Sequence, residues 1–309
     1  MGRITRNKLV KGYHKIFECI YDTPTASIVD IAAKTKLSRN SVSKYLKVMY
    51  ESRVMMGPEI RLRSSQDYKE YVYLLNFQDP GEVFKLLKGF PHVVYHGLTS
   101  GHWNTMVVTN RLLDFSKLVG FQSVVYRDVK YSSYSPKVEN ILWSSSFEKI
   151  YDYLDTFKGR HEEKIRRLCP PLDWSDDEWT LYHAFNSDMR KKVIPTLRKT
   201  KVRYEAYSPW FKDIENHCTI HTGFYPEGYI EYLSHCFLMY TDFEESVKLL
   251  VSYLPVSSSI VEVGNCLLVF TNAFQSDITR SLFCTLYDMK LKGILRKFYH
   301  AVALYHVRG

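Results

Sequence analysis

The chain has 309 residues, of which 45% are hydrophobic and 15% aromatic, and its formal net charge is +9. That length suits two to four compact units, and the apolar content excludes a disordered chain. The sequence has no run of about 18 apolar residues and no apolar core behind its basic N-terminus, so neither a membrane span nor a signal peptide is predicted. Arg6 stands where a myristoylation motif needs Ser or Thr. Six scattered cysteines without a Cys-x-x-Cys pair predict reduced thiols and a cytoplasmic protein.

The positive charge is concentrated near the N-terminus. Residues 1–69 hold 14 Lys or Arg against 6 Asp or Glu, a balance of +8, whereas residues 173–228 have a balance of −1 and residues 229–309 a balance of 0. An evenly spread lysine surface would indicate only a soluble protein. A localised basic segment indicates a polyanionic partner.

Three short helices are predicted in this basic segment. Apolar residues at helical spacing occupy residues 11–22, and Ser27 followed by Asp30 is typical of a capping box at the start of a second helix. Ser38 is predicted to cap a third helix. The core-facing residues of that third helix follow helical spacing: Val42, Tyr45, Leu46 and Met49.

The opposite face of the third helix has the composition of a DNA-recognition surface. Arg and Asn side chains reach base edges, and Ser and Lys side chains bind phosphates. The next stretch, residues 53–65, has apolar residues around a Gly57-Pro58 turn and predicts a two-stranded wing. The predicted partner is double-stranded DNA, and the predicted contacts are Ser38, Arg39, Asn40, Ser43, Lys44, Lys47, Arg61 and Arg63. The alternative for residues 1–66 is a three-helix bundle with a solvated lysine face.

After residue 67 the hydrophobic pattern becomes strand-like, and the order strand-helix-strand-strand-helix-strand predicts an α+β, ferredoxin-like domain over 67–139. A helical linker is predicted over 140–172, which ends at Pro170-Pro171. The predicted strands are residues 70–77, 92–101, 102–110 and 124–135, and the predicted helices are residues 79–90 and 111–121.

The chain then repeats itself. The sequences YKEY, KLL and MVVTN at residues 68, 85 and 106 recur as YIEY, KLL and LVFTN at offsets of 161, 163 and 162 residues. These matches predict that the same architecture occurs twice. The second copy comprises a winged-helix domain over 173–228 and a ferredoxin-like domain over 229–309.

The second winged helix is predicted to be a degenerate copy. The repeat offset carries the third helix onto residues 200–214, where Pro209 is expected to interrupt the helix, and Pro195 is expected to break the helix before it. Glu205 occupies a polar contact position. We expect this copy to serve packing or partner contact rather than DNA binding.

A winged helix followed by a ferredoxin-like domain resembles the Lrp/AsnC, or feast/famine, transcriptional regulators. Residues 91–109, PHVVYHGLTSGHWNTMVVT, look like that family's strand-turn-strand signature. Thr99 and Gly101 fit the signature, whereas Asn104 stands where an Asp is usual and Ser100 is inserted. The resemblance covers residues 9–138 and, more weakly, 173–307.

The resemblance implies that the ferredoxin-like domains pair through their sheets and that a small effector, often an amino acid, binds near the turn and the pair interface. A tandem fusion would place such a pair within one chain. The effector-binding residues that it implies are Thr99, Gly101, His102 and Asn104, with Val263, Gly264 and Asn265 in the second half.

No catalytic, cofactor or metal site is predicted. The sequence has no nucleophile elbow, phosphate-binding glycine loop or metalloprotease motif. Metal-ligating side chains cluster within 20 residues, but neighbours on a strand face opposite sides, so structural roles are expected. These side chains are His217, Cys218, His221, His235 and Cys236.

The sequence thus predicts a DNA-binding transcriptional regulator that is not an enzyme. One competent winged helix per chain predicts a homodimer on a two-half-site operator. Two alternatives stay open. One is a tetrapyrrole enzyme, because the architecture also resembles the siroheme decarboxylases, although the ferredoxin-like halves carry no arginine cluster. The other is a DNA-binding adaptor without a ligand.

Overall fold

A computed structural model describes residues 6–159 and 164–308. Residues 1–5, 160–163 and 309, which belong to the predicted domains at 1–66 and 229–309 and to the linker at 140–172, lie outside the described residues. The helices are α1 (Arg6–Asp22), α2 (Ile28–Thr35), α3 (Arg39–Glu51), α4 (Pro80–Leu86), α5 (Trp143–Thr156), α6 (Asp176–Phe185), α7 (Val193–Thr200), α8 (Tyr204–His217), α9 (Glu244–Ser252) and α10 (Ser276–Leu291). The strands are β1 (Met55–Leu62), β2 (Glu70–Phe77), β3 (Val93–Gly101), β4 (Thr105–Thr109), β5 (Phe121–Tyr134), β6 (Cys218–Phe224), β7 (Leu233–Thr241), β8 (Ser259–Val263), β9 (Cys266–Ala273) and β10 (Leu295–Arg308). None of the described helices is long and apolar enough to cross a membrane.

Helices α1–α3 form an N-terminal unit. Ser27 and Asp30 form a reciprocal capping box at α2, and the Ser38 hydroxyl accepts a hydrogen bond from the backbone N–H of Ser41 at α3. Both predicted caps are confirmed, and a cap of this kind stabilises a helix by about 1 kcal/mol. The three helices share one hydrophobic core, which includes Ile16, Phe17, Ile31, Val42 and Met49.

Strand β1 pairs with β6, which lies far along the chain. The two strands run antiparallel, with Met55 opposite Phe224 and Leu62 opposite Cys218. We call this pair the ribbon. The ribbon replaces the two-stranded wing that was predicted within residues 53–65, and that prediction is wrong.

Gly57 shows why the wing prediction is wrong. This residue lies within an irregularity of β1, not at a turn between two strands. Its φ is +80°, and an added Cβ would lie 2.4 Å from the carbonyl oxygen of His221 on β6. Glycine is therefore needed for the close approach of β6, because it has no Cβ and adopts positive φ freely.

Helices α6–α8 form a second helical unit with an aromatic core. Helix α8 begins at Tyr204 and continues through Pro209, so the predicted interruption and the predicted span of 200–214 are both wrong. Pro195 lies in the first turn of α7, where its missing N–H removes no helical hydrogen bond. Burial of Trp210 and its aromatic neighbours in this core outweighs the local cost of the proline in α8.

Each strand of the ribbon places side chains in the core of the helical unit from the other half of the chain. Phe224, from β6, lies in the N-terminal core, where its ring stacks on Phe17 with centroids 5.1 Å apart. Ile60 and Leu62, from β1, lie in the core of the second helical unit. Each unit therefore completes its core with residues from the other half of the chain.

The loop between α6 and α7 also joins the two units. The carbonyl oxygen of Asn186 accepts a hydrogen bond of 2.8 Å from the backbone N–H of Ile60. The Arg190 guanidinium donates to the carbonyl oxygens of Pro24 and Ala26, at 3.0 and 2.8 Å. These bonds attach the second unit to the segment that leads into α2.

The remaining strands close into an eight-stranded barrel. One half runs in the order β3-β4-β2-β5 and the other in the order β8-β9-β7-β10, and the halves join where β5 pairs with β8 and β10 pairs with β3. Closure leaves no free sheet edge. The linker helix α5 packs through Ile150 and Leu154 into a core shared with α9 and α10.

The predicted helix over residues 111–121 is wrong. A 3-10 turn, Phe115–Lys117, occurs there instead, and the Asp114 carboxylate accepts a hydrogen bond from the backbone N–H of Ser116 at its start. Phe115 is buried against Tyr73, with ring centroids 4.9 Å apart. The hydrogen bond from the Ser116 N–H to the Asp114 side chain therefore favours a short turn over the helix that the spacing of the leucines predicted.

The exchange of side chains across the ribbon gives a prediction about stability. Phe224→Ala should lower the free energy of unfolding by about 3–5 kcal/mol, because it leaves a cavity in a packed core. The loss should appear first as faster amide hydrogen exchange in α1–α3, although Phe224 belongs to β6. Phe185→Ala, at a similarly buried phenylalanine of α6, is the matched control and should accelerate exchange in α6–α8 instead. If both variants accelerated amide hydrogen exchange equally in α1–α3 and in α6–α8, Phe224 would not belong specifically to the N-terminal core.

Candidate nucleic-acid interface and internal cavity

Helix α3 presents one buried face and one polar face. Val42, Leu46 and Met49 are buried in the N-terminal core. The predicted reading residues all lie on the solvent side, because they fall between these core positions in the helical repeat. The exposed side chains are Arg39, Asn40, Ser43, Lys44 and Lys47.

The cations on this face are available to a ligand. Arg39 and Lys44 make no ion pair among the described residues, and Lys47 lies 3.9 Å from Glu51, a long contact between two exposed groups. Such a pair contributes little and is easily exchanged for a phosphate. The Ser38 hydroxyl, also predicted to contact DNA, is engaged with Ser41 at the helix cap.

Arg61 and Arg63 do not share this face, and the wing from which they were predicted to reach phosphates is absent. Arg61 donates to the Glu59 carboxylate at 3.0 Å and lines an internal cavity. The Arg63 guanidinium donates to the backbone carbonyl oxygens of Glu215 and Asn216, at 2.7 and 2.6 Å. Because β6 occupies the partner side of β1, both arginines are held by the protein itself.

The cavity has a volume of about 680 Å³ and lies between the ribbon, the barrel and α6. Its walls combine apolar strand residues with aromatic rings, among them Tyr95, Phe270, Trp179 and Tyr182. A cavity of this size suits a drug-sized ligand, and flat walls of this kind suit a planar one.

Charged groups from both ends of the chain meet in the cavity. Glu59 accepts a hydrogen bond from Arg61 and forms an ion pair with Arg308, in which the nitrogen and oxygen are 2.8 Å apart. Burial, followed by the neighbouring Arg61, lowers the pKa of Arg308, whereas Glu59 acts to raise it. Lys130 and Glu70 form a second, buried ion pair. Three cations thus face two carboxylates, and this excess favours an anionic group on any occupant.

The imidazole of His221 is fixed in the cavity wall as a neutral group. Its ring nitrogens contact the hydroxyls of Ser133 and Thr219, both at 2.9 Å, and of Ser135, at 2.7 Å. Burial, with the positive charges of Arg61 and other cavity cations, holds the pKa of His221 well below its ordinary value. This histidine therefore adds no positive charge near neutral pH.

The tyrosines of the wall are likewise neutral. Burial raises the pKa of Tyr95 and of Tyr225. Their hydroxyls therefore remain protonated at neutral pH and are able to donate hydrogen bonds.

None of the seven predicted effector-binding residues lines this cavity. In the first half, Thr99 donates to the carbonyl oxygen of Trp103, and Asn104 bonds the backbone of Phe77. Gly101 has a φ of +148°, and an added Cβ would lie 2.5 Å from the carbonyl oxygen of His300. The polar groups of this turn thus serve the fold.

His102 and the second-half residues are similarly engaged. The His102 Nδ1 contacts the carbonyl oxygen of His300 at 2.9 Å. Val263 is buried, and the carbonyl oxygens of Gly264 and Asn265 accept hydrogen bonds from Arg166 and Lys164 of the linker. The cavity is therefore a second candidate ligand site, and effector binding at these turns stays a prediction.

The histidines and cysteines between His217 and Cys236 do not come together as a metal site. Among residues 6–159 and 164–308, no group of three or more His, Cys, Asp or Glu is arranged to hold a metal ion. Cys218 is buried in the core of the second helical unit, and Cys236 lies in the barrel core.

Helices α1–α3 match a known class of DNA-binding domain. A family model described as winged helix-turn-helix DNA-binding matches residues 14–54, which include most of α1, all of α2 and all of α3. Residues 14–54 are a winged helix-turn-helix DNA-binding domain, and the ribbon stands in the place of its wing.

The whole chain is similar to two solved structures at low sequence identity. One is a crystal structure of the siroheme decarboxylase NirDL, 9% identical, which covers 96% of this chain and 91% of that chain with a TM-score of 0.49. The other is a crystal structure of the same decarboxylase in co-complex with an iron-uroporphyrin III analogue, 9% identical, which covers 96% and 92% with a TM-score of 0.40. Neither similarity establishes a function for this chain. No curated protein sequence matches it.

The buried Lys130–Glu70 pair gives a prediction about the cavity wall. Lys130→Met should lower the free energy of unfolding by about 3–5 kcal/mol, because it leaves the Glu70 carboxylate buried without its partner. Chemical denaturation measures the loss, and Lys130→Met/Glu70→Leu should restore most of it. Lys85→Met, which breaks the exposed pair with Glu82, is the control and should leave the free energy of unfolding nearly unchanged. A cost for Lys130→Met as small as the control's would contradict a buried pair.

Proposed function

We propose that the chain is a sequence-specific, DNA-binding transcriptional regulator that acts in the cytoplasm and is not an enzyme. The observation that carries the proposal is the outer face of α3, where a polar and cationic row lies exposed on a capped helix whose other face is buried. This helix belongs to a domain of the winged helix-turn-helix DNA-binding class. In such domains the N-terminal residues of the third helix contact base edges in the major groove.

Each side chain on this face has a distinct role in the proposal. Arg39 and Asn40 occupy the first turn of α3 and read base edges, since Arg pairs with guanine and Asn with adenine. Ser43, Lys44 and Lys47 lie further along the helix and hold phosphates, which fixes the register without reading sequence. Ser38 contributes chiefly by starting the helix.

We further propose that the chain arose by internal duplication of a winged helix and a ferredoxin-like domain, as in the Lrp/AsnC-like arrangement. Each half of the barrel has the same strand order, and in each half three helices and one ribbon strand precede the barrel strands. Only the first copy presents a basic third helix. A two-half-site operator would therefore be bound by a homodimer of chains.

A small molecule in the cavity is the proposed effector. The aromatic walls, together with Arg61 and Arg308, favour a planar molecule with an anionic group. Because β1 both lines the cavity and follows α3, an occupant would contact the strand attached to the reading helix. A tetrapyrrole-processing enzyme and a ligand-free DNA-binding adaptor are the competing proposals for this part of the molecule.

The proposed reading face is tested by Arg39→Ala in the full chain. Affinity for a duplex selected from a random pool should fall by about 1–3 kcal/mol, or roughly 5- to 150-fold, because one base contact is lost. Fluorescence anisotropy at fixed salt measures the change. Arg127→Ala removes an exposed arginine of the barrel and should leave the affinity unchanged. If Arg39→Ala binds as tightly as the control, α3 is not the reader.

The proposed effector site is tested with the dye 8-anilinonaphthalene-1-sulfonate, an aromatic anion with a flat naphthalene ring system. The wild-type chain should bind one dye saturably, and Arg61→Gln should weaken binding by about tenfold, because one charge-assisted hydrogen bond is lost. Arg127→Gln should bind like the wild type. Equal binding by both variants would place the dye elsewhere and oppose an effector role for the cavity.

One further measurement separates the competing functions. A visible absorbance band on the purified protein would favour the tetrapyrrole enzyme. A colourless protein that binds the dye, and whose affinity for DNA changes when the dye is bound, would favour the regulator. A colourless protein that binds DNA but no dye would favour the ligand-free adaptor.

A further inference from the structure

A second basic segment lies in the second helical unit. Residues 190–203, RKKVIPTLRKTKVR, contain seven Lys or Arg and no Asp or Glu. They are flanked by acidic stretches, so the net charge of residues 173–228 is −1 and hides this segment. The seven cations occupy α7 and the loops on either side of it.

Most of these cations face solvent without a partner. Arg190 and Lys191 are engaged, because their side chains donate to backbone carbonyl oxygens of the segment before α2 and of the last turn of α6, respectively. The other five are exposed and have no ion pair or side-chain hydrogen bond in the part of the chain that the structure describes. We call these five the α7 basic surface, which consists of Lys192, Arg198, Lys199, Lys201 and Arg203.

Helix stability does not explain this surface. Arg198 and Lys199 lie in the last turn of α7, where cations complement the helix dipole. Lys192 and Arg203, however, are the N-cap residues of α7 and α8, and neither side chain caps its helix. A helix N-terminus carries partial positive charge, so a cation there is electrostatically unfavourable. These two positions therefore hold positive charge at the expense of helix stability, which indicates a role outside the fold.

The α7 basic surface adjoins the DNA-binding domain. Arg190, two residues before Lys192, is hydrogen-bonded to the carbonyl oxygens of Pro24 and Ala26, just before the N-cap of α2. The duplex proposed to lie on α3 presents one negative charge per about 1.7 Å of its length. The phosphates of that duplex next to the bases contacted by α3 are thus a polyanion close to the α7 basic surface.

The neighbouring helix α8 does not suit groove reading. Its exposed face carries three carboxylates, Glu205, Asp213 and Glu215, against one cation, Lys212. Acidic side chains in excess repel the phosphates that flank a groove. In the second unit, α7 is the helix before the third helix, and the corresponding helix of a helix-turn-helix crosses the DNA backbone. The charge distribution thus fits backbone contact by α7 without base contact by α8.

We propose that the α7 basic surface binds the phosphate backbone of the same duplex that α3 reads. This second contact is independent of sequence and extends the footprint of each chain beyond the reading helix. The inference rests on the proposed DNA-binding function, and its recognition chemistry is limited to phosphate.

The test uses Lys192→Ser/Arg203→Ser in the full chain. Serine is a favoured N-cap residue, so this variant should be at least as stable to heat as the wild type. Its DNA binding should nonetheless weaken, and the slope of log affinity against log salt concentration should become shallower by roughly two, or about 0.9 per lost phosphate contact. Lys88→Gln/Arg127→Gln, which removes two exposed and unpaired cations elsewhere, should leave the slope unchanged.

Measuring Arg39→Ala beside these variants separates the two proposals. An unchanged slope for the serine variant overturns the α7 contact, whatever Arg39→Ala does. A shallower slope with an unaffected Arg39→Ala supports backbone binding by α7 and overturns reading by α3. A wild-type chain that binds neither a selected nor a mixed-sequence duplex overturns both.

Discussion

The antiparallel pairing of β1 with β6 is the interaction on which the other features of this molecule depend. A strand without a partner leaves its backbone groups unpaired, and an isolated two-stranded hairpin is only marginally stable in water. Strand β6 supplies the partner, and the ribbon then places Phe224 in one helical core and Ile60 in the other. The same pairing places Arg61 in the wall of the cavity, where it shares Glu59 with Arg308 from the last strand of the barrel.

The two helical units share an order of elements but differ in where their charge lies. In the N-terminal unit the cations lie on the outer face of α3, which suits entry into a groove. In the second unit they lie along α7 and at two helix N-termini, while the exposed face of α8 carries three carboxylates and one lysine. The second unit has therefore not simply lost its positive charge. That charge occupies a helix whose position suits contact with the DNA backbone.

The features that the sequence predicted are those decided by neighbouring residues. The caps at Ser27 and Ser38 and the buried face of α3 follow from spacings of three and four residues, and they were confirmed. The predicted wing was wrong because the partner of β1 comes from the other half of the chain, and nothing in the sequence of residues 53–65 indicates that partner. The cavity joins residues from Glu59 to Arg308, so no local pattern marks it. The basic residues at 190–203 are visible in the sequence, but the net charge summed over 173–228 is −1 and does not reveal them.

The exchange across the ribbon also decides how DNA binding can be assigned to a part of this chain. Removing residues 1–66 would take Ile60 and Leu62 out of the second helical core, and each large apolar side chain lost from a core costs about 2–5 kcal/mol. A domain is stable by only about 5–15 kcal/mol, so the remainder would be close to unfolding, and its failure to bind DNA would say nothing about α3. Single substitutions on exposed faces leave both cores intact and are therefore interpretable. By the same reasoning, an occupant of the cavity that shifts the ribbon must act on both helical units together, because neither core is complete without it.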